Sequence, residues 1–261
     1  MGPFAVEKPL IGMIHLLPLA GSVAYVKGSS SATLGAALRD LYALESGGAD
    51  AAIVENLGDA PYAVNAPRET IAMMSIIVHQ VVEKAHIPIG VNVLRNDGLA
   101  AIAIAAATGA TFVRVNVFCG VAFADQGMIE GQARDLHWLR RDLGTETKIL
   151  ADVHVKHAAH PTSIEEAAID TGRNGADALI VSGIATGRRT SPGDLQAVKS
   201  VASLPVLVGS GVRIDNVSTY RDADGFIVGT VLKENGVIGA PVDVERVRAL
   251  ADAVASLRPG G

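Results

Sequence analysis

Short apolar runs recur along the chain at near-regular intervals, and four of them share one preface. "GADAAIVEN" from Gly48, "GATFVRVN" from Gly109, "GADALIVSG" from Gly175 and the variant "DADGFIVGT" from Asp222 each set glycine or a substitute ahead of a β-branched run. That order reads as a helix C-terminus followed by a buried strand. Four more runs lie between them: "KPLIGMIH" from Lys8, "IPIGVNV" from Ile87, "TKILADVHV" from Thr147 and "LPVLVGSG" from Leu204. Proline precedes or begins three of these, a placement that strands tolerate at their entrance. The intervening segments carry apolar residues three and four apart, and several open on Ser, Asn or Asp in a capping position. They are "SATLGAALRDLYALESGG", "RETIAMMSIIVHQVVEKAH", "NDGLAAIAIAAATG", "MIEGQARDLHWLRRDLG", "SIEEAAIDTGRNG", "SPGDLQAVKSVAS" and "DVERVRALADAVASL", with a shorter helix expected from Ile214 to Arg221.

Near-continuous apolar strands imply a parallel sheet covered on both faces. Eight such strands alternating with helices, with no linker or low-complexity insert, predict an α/β fold, a closed (β/α)₈ TIM barrel. It is expected to form one domain over residues 1–261. An open doubly wound sheet fits less well, because its glycine-rich nucleotide fingerprint is missing.

Composition narrows the class of partner. With 49% hydrophobic and 19% charged residues the chain can bury a large core, and a net charge of -5 offers no broad basic field for nucleic acid or an anionic membrane. A small molecule or another protein is the expected partner. The N-terminal apolar stretch is interrupted by Lys8 and His15 and has no basic leader, so it reads as a first strand. "GLAAIAIAAATGATFVRVNVF" is broken by Thr108, Gly109 and Arg114, and is not read as a membrane span. Cys119 is the only cysteine, which excludes an internal disulfide and suits a reducing cytoplasm. The polar-poor helix "GLAAIAIAAATG" suggests a surface covered by a second copy of the chain.

Chemistry is expected at the C-terminal ends of the strands, where barrels of this class carry their sites. After the seventh and eighth strands lie Gly209-Ser210-Gly211 and Gly229-Thr230. Glycine admits an anion close to the backbone, Ser210 and Thr230 add hydroxyl donors, and the pair resembles the phosphate-binding end of barrels such as thiamine phosphate synthase. At the same rim the runs end on His15, Glu55, Asn56, Asn92, Arg114 and Asn116. Strand alternation sets Asp152, His154 and Lys156 on one inward face, with Asp152 deepest and Lys156 nearest solvent. That set suits acid/base catalysis with Glu55 and Arg114, a Schiff base on Lys156, or a divalent metal on Asp152 and His154. A structural ion pair of Arg114 with Glu55 or Asp152 is the plain alternative. Ser182 and Gly183 open a glycine-rich loop through Thr186, Gly187, Arg188 and Arg189 that reads as a lid. Asn56, Asp59 and Tyr62 belong to a long loop that could cover a ligand. His157 and His160 are read as loop residues.

The segments "KPLIGMIHLLPLAGS", "GGADAAIVENLGDAPY", "ILADVHVKHA" and "DALIVSGIATG" with "PVLVGSGV" together resemble the BtpA/SgcQ family over almost the whole chain. The resemblance implies a barrel of the phosphate-binding kind. The family takes its name from a role in photosystem I accumulation in cyanobacteria, yet has members in organisms without photosynthesis. It carries no catalytic residues over to this sequence. The expected function is therefore an enzyme using lyase or isomerase chemistry on a small phosphorylated metabolite, a sugar phosphate or nucleotide-like compound. The alternatives are a factor that stabilises a protein complex and a metal-assisted hydrolase using His15, Glu55, Asp152 and His154.

Overall fold

In chain order the strands are β1 (Leu10–His15), β2 (Ala51–Glu55), β3 (Ile89–Asn92), β4 (Phe112–Val115), β5 (Val121–Ala124), β6 (Gly127–Glu130), β7 (Lys148–Asp152), β8 (Ala158–Ala159), β9 (Ala178–Val181), β10 (Val206–Val208) and β11 (Gly225–Val228). The helices are α1 (Ser30–Ser46), α2 (Arg68–Lys84), α3 (Gly98–Thr108), α4 (Ala133–Asp142), α5 (Ile164–Arg173), α6 (Pro192–Val201) and α7 (Val244–Ala255). This computed structural model describes residues 4–183 and 189–258. Eight strands close a parallel barrel in the order β1-β11-β10-β9-β7-β4-β3-β2, and these eight are the runs recognised in the sequence. The connection after β10 carries a 3₁₀ turn at Val217–Tyr220 where a short helix was expected.

Two apolar layers follow from the period of two along each strand. Ile11, Met13, Ala51, Ile53, Phe112, Leu150, Ala178, Ile180, Leu207 and Ile227 fill the barrel. The alternate residues, among them Ile14, Val54, Val91, Val113, Ile149, Val181, Val208 and Phe226, pack against the helices. Each fully buried aliphatic side chain stabilises the fold by about 1.5–3 kcal/mol. Gly90 occupies an interior position because a Cβ there would lie 2.2 Å from Cε2 of Phe112. Phe4 packs edge-on against Phe112, with ring centroids 5.1 Å apart, at the end where β4 begins. Helix starts follow the capping residues: Asp97 accepts from the Ala100 amide, and Ser163 and Glu166 form a capping box. Gly109 ends α3 with φ +84°, a left-handed geometry that favours glycine.

Two sequence expectations need correction. Met128–Gln132 is not the start of a helix, because β5 and β6 form a hairpin with Asp125 and Gln126 at its turn and α4 begins only at Ala133. β8 pairs with β5, giving a three-stranded sheet beside the barrel mouth. The fifth barrel strand, β7, stops at Asp152, and the chain bends at Val153 and His154, so alternation does not extend to His154. Among the described residues no helix is long and apolar enough to cross a membrane.

Candidate functional site

Beyond the last apolar layer, the same inward positions turn polar: His15 follows Met13, Glu55 follows Ile53, Arg114 follows Phe112 and Asp152 follows Leu150. His15, Glu55 and Arg114 floor a cavity of about 700 Å³ at the C-terminal ends of the strands, with Asp152 behind Arg114 and on the wall of a second, smaller cavity. Its wall includes Glu55, Arg114, Asn116 and Lys156 together with Gly209, Ser210, Gly211, Gly229 and Thr230. The proposed phosphate turns and most of the rim cluster therefore share one space. Tyr62 and His157 also line it, as do residues that sequence reasoning passed over: Arg95, Asp125, Gln126, Arg213 and Arg246.

Arg114 is held in place by a buried fork. Its Nε and Nη2 donate to the two carboxylate oxygens of Asp152 at 3.1 and 2.9 Å, and Asn116 Nδ2 donates to Asp152 Oδ2 at 3.0 Å. Asn92 Nδ2 donates to Asn116 Oδ1 and to the Arg114 carbonyl, both at 3.1 Å. Asn92 and Asp152 thus support the cavity floor from behind, and the ion pair that the sequence allowed as an alternative is present. Glu55 Oε1 lies 3.7 Å from His15 Nε2. Burial pushes the Glu55 carboxyl up from its ordinary pKa, against the opposing pull of Arg114 and Lys156. Burial, with the charges of Lys233 and Lys156, lowers His15 to about 3, so its ring is neutral at ordinary pH. Burial and then Arg114 lower Lys156 to about 8. A carboxyl shifted up beside an amine shifted down is a pairing suited to proton exchange near neutrality.

In the turn after β10, Gly211 has φ +69°. Gly209 and Gly229 are required on packing grounds as well: a Cβ on the first would lie 2.6 Å from Ile180 Cγ2, and on the second 3.0 Å from His15 Cε1. The Gly209 amide donates to the Val181 carbonyl at 2.8 Å, so this residue provides clearance rather than a free donor.

Several sequence candidates lie elsewhere. His154 stacks on His160, centroids 4.1 Å apart, in a second cavity of about 160 Å³ with Cys119 and Thr171. The bend after β7 turns it away from Lys156, and the expected one-faced set of Asp152, His154 and Lys156 is not formed. Ser182 donates to the His154 carbonyl at 3.2 Å, and neither it nor Gly183 is on the wall of the large cavity. Asn56 and Asp59 are structural: Asn56 donates to Asp59 and bonds both backbone groups of Leu94, while Asp59 accepts from the Leu19 amide. Tyr62 donates to the Leu57 carbonyl at 2.6 Å, and burial first, then nearby Glu55, pushes it up to about 12. Arg189 pairs at the surface with Asp215, and Thr186, Gly187 and Arg188 lie outside the described residues. Among the described residues no group of three or more His, Cys, Asp or Glu side chains is placed to hold a metal ion. His15, Glu55, Asp152 and His154 do not converge, because Asp152 is taken by Arg114 and His154 faces the other cavity.

A closed parallel barrel alternating with helices, with a polar cavity at its C-terminal mouth, defines a (β/α)₈ barrel. It superposes on thiamine phosphate pyrophosphorylase from Pyrococcus furiosus with a TM-score of 0.60 at 17% identity, over 95% of this chain and 96% of the other. N-(5'-phosphoribosyl)anthranilate isomerase from the same organism gives 0.59 at 13% identity, over 95% and 99%. The BtpA family model matches residues 6–256, and the chain belongs to that family. An uncharacterized protein of Thermococcus kodakarensis is 48% identical over 97% of both chains. The photosystem I biogenesis protein BtpA of Synechocystis is 41% identical over 97% of this chain and 90% of its own length.

Proposed function

We propose that this protein is an enzyme acting on a small phosphorylated metabolite by acid/base lyase or isomerase chemistry. The observation that carries the reading is one cavity wall shared by the two glycine turns after β10 and β11 and by Glu55, Arg114 and Lys156. The phosphate rests at Gly211 and Thr230, with Ser210 beside them and Gly209 and Gly229 providing clearance. Glu55 exchanges a proton with a substrate carbon or oxygen, and Arg114 and the Lys156 ammonium stabilise the negative charge that develops. Neutral His15 stands 3.7 Å from the Glu55 carboxyl and adds no competing charge. A Lys156 amine near pH 8 is also competent to form a Schiff base with a carbonyl substrate, releasing water. Borohydride trapping separates the two routes, since only the Schiff base leaves a stable adduct on Lys156.

The phosphate site is tested with Gly211→Val. At φ +69° a β-branched residue is strained and fills the turn. Calorimetric titration with inorganic phosphate is expected to show at least a tenfold loss of affinity in a variant that keeps its circular dichroism spectrum. Unchanged affinity in the folded variant refutes the placement. A second reading, a non-catalytic factor that stabilises a protein complex, draws on the name of the Synechocystis relative. It is favoured over the first if wild-type protein binds no phosphorylated compound.

A further inference from the structure

Five cationic side chains, Arg95, Arg114, Lys156, Arg213 and Arg246, line the cavity with the carboxyl groups of Glu55 and Asp125. Arg114 is neutralised by Asp152, and Arg246 Nε lies 3.7 Å from Asp243. Arg213 stands at the end where β10 and β11 carry the glycine turns. Arg95 and Lys156 are different. Arg95 is only 8% exposed and lines the cavity, and among the described residues its one side-chain hydrogen bond runs from Nη2 to the Lys156 carbonyl at 2.5 Å. A guanidinium has five N–H donors, so most of its bonding capacity is unspent. Among the described residues neither Arg95 nor Lys156 is in an ion pair. Glu55, Asp125 and Asp152 act on Arg95 only at longer range, and Asp152 is already held by Arg114 and Asn116. Two cations drawn together largely out of water, with no carboxylate in direct contact, are costly unless an anion completes them.

Their position in the ring supplies the geometry. In the strand order β1-β11-β10-β9-β7-β4-β3-β2, the loop after β3 that carries Arg95 lies across the barrel from β10 and β11. Strands about 4.8 Å apart and tilted about 36° close an eight-strand ring about 15 Å across from backbone to backbone, and Arg95 reaches along it to the loop after β7, which β9 separates from the turns after β10 and β11. We infer that Arg95 and Lys156 form a second anion subsite, and that the substrate is doubly anionic, a phosphate at one end of a carbon chain and a carboxylate or second phosphate at the other. This inference rests on the phosphate reading above.

A matched pair of open six-carbon probes tests it by calorimetry: 6-phosphogluconate, which has a terminal carboxylate, and sorbitol 6-phosphate, which has a hydroxymethyl group there. The wild-type protein is expected to bind the first at least tenfold more tightly, and Arg95→Met or Lys156→Met to abolish most of that preference, with sorbitol 6-phosphate affinity in Arg95→Met within twofold of the wild type. Equal affinities in the wild type, or a preference that survives in both folded variants, overturn the second subsite. Fructose 1,6-bisphosphate against fructose 6-phosphate separates a phosphate-accepting subsite from a carboxylate-selective one. Absence of inorganic phosphate binding in the wild type is a separate result and overturns the phosphate reading itself.

Discussion

Replacing Asp152 by Asn removes one charge and almost no volume, so it isolates what the buried ion pair does. The side chains of Arg114 and Asp152 are 4% and 0% exposed, and the pair is bidentate with a third bond from Asn116. Removing one member of such a pair leaves an uncompensated buried charge, at a cost of about 3–5 kcal/mol. Unfolding entropy of about 2.1 cal/mol/K per residue amounts to about 0.55 kcal/mol/K for a chain of this length. The expected fall in melting temperature is therefore about 5–9 °C. Glu55 sets the lower end, because a carboxyl now held mostly neutral by burial can ionise beside the released guanidinium. Urea unfolding followed by far-ultraviolet circular dichroism gives the stability directly. Arg114→Met with Asp152→Asn removes the stranded charge and leaves an acceptor for Asn116, so the double variant should recover at least half of the loss. A single-variant cost below about 1 kcal/mol, or a double variant less stable than Asp152→Asn, would refute the account of the cavity floor.

Two further outcomes are expected. Lys156 has its pKa lowered from 10.5 to about 8, so kcat/KM should fall as pH rises through about 8, and Lys156→Arg should move that limb upward; the pH–rate profile checks this. The same shift makes the unfolded chain bind more protons than the folded one between those values, so this group's contribution to stability rises with pH across that window, and parallel unfolding curves at pH 7.5 and 10 should lose the difference in Lys156→Met. Gly90→Ala should cost about 1–3 kcal/mol by driving a methyl into the Phe112 ring, and Phe112→Leu in the same chain should recover part of it, as measured by thermal unfolding.

The barrel was legible because each strand is a short β-branched run with the same glycine or proline punctuation, and the rim was legible because alternation holds as long as a strand continues. It placed Asp152 on the inner side, and the polar residues that close the apolar runs marked Glu55, Asn92, Arg114 and Asn116 as rim residues. It misplaced His154 because the sequence does not mark the end of β7: "ADVHV" alternates as well after the strand has stopped as before. The hairpin was missed since Met128, Ile129 and Leu136 mimic helical spacing, and "DQG" is a modest turn signal. Arg95, Arg213 and Arg246 come from loops and a helix with no periodicity to point them inward. Lys233 and Asp40, a buried pair with Nζ–Oδ2 at 2.5 Å, are 193 positions apart and have no local signature.

The small sheet beside the mouth joins two parts of the site that the chain separates. Ala124, next to the hairpin turn at Asp125, pairs with Ala158, two residues beyond Lys156. Asp125 and Gln126 at the tip and Lys156 at the wall are thus fastened to one another by backbone hydrogen bonds. Any displacement of β5 is therefore transmitted through this pairing to the segment that carries Lys156.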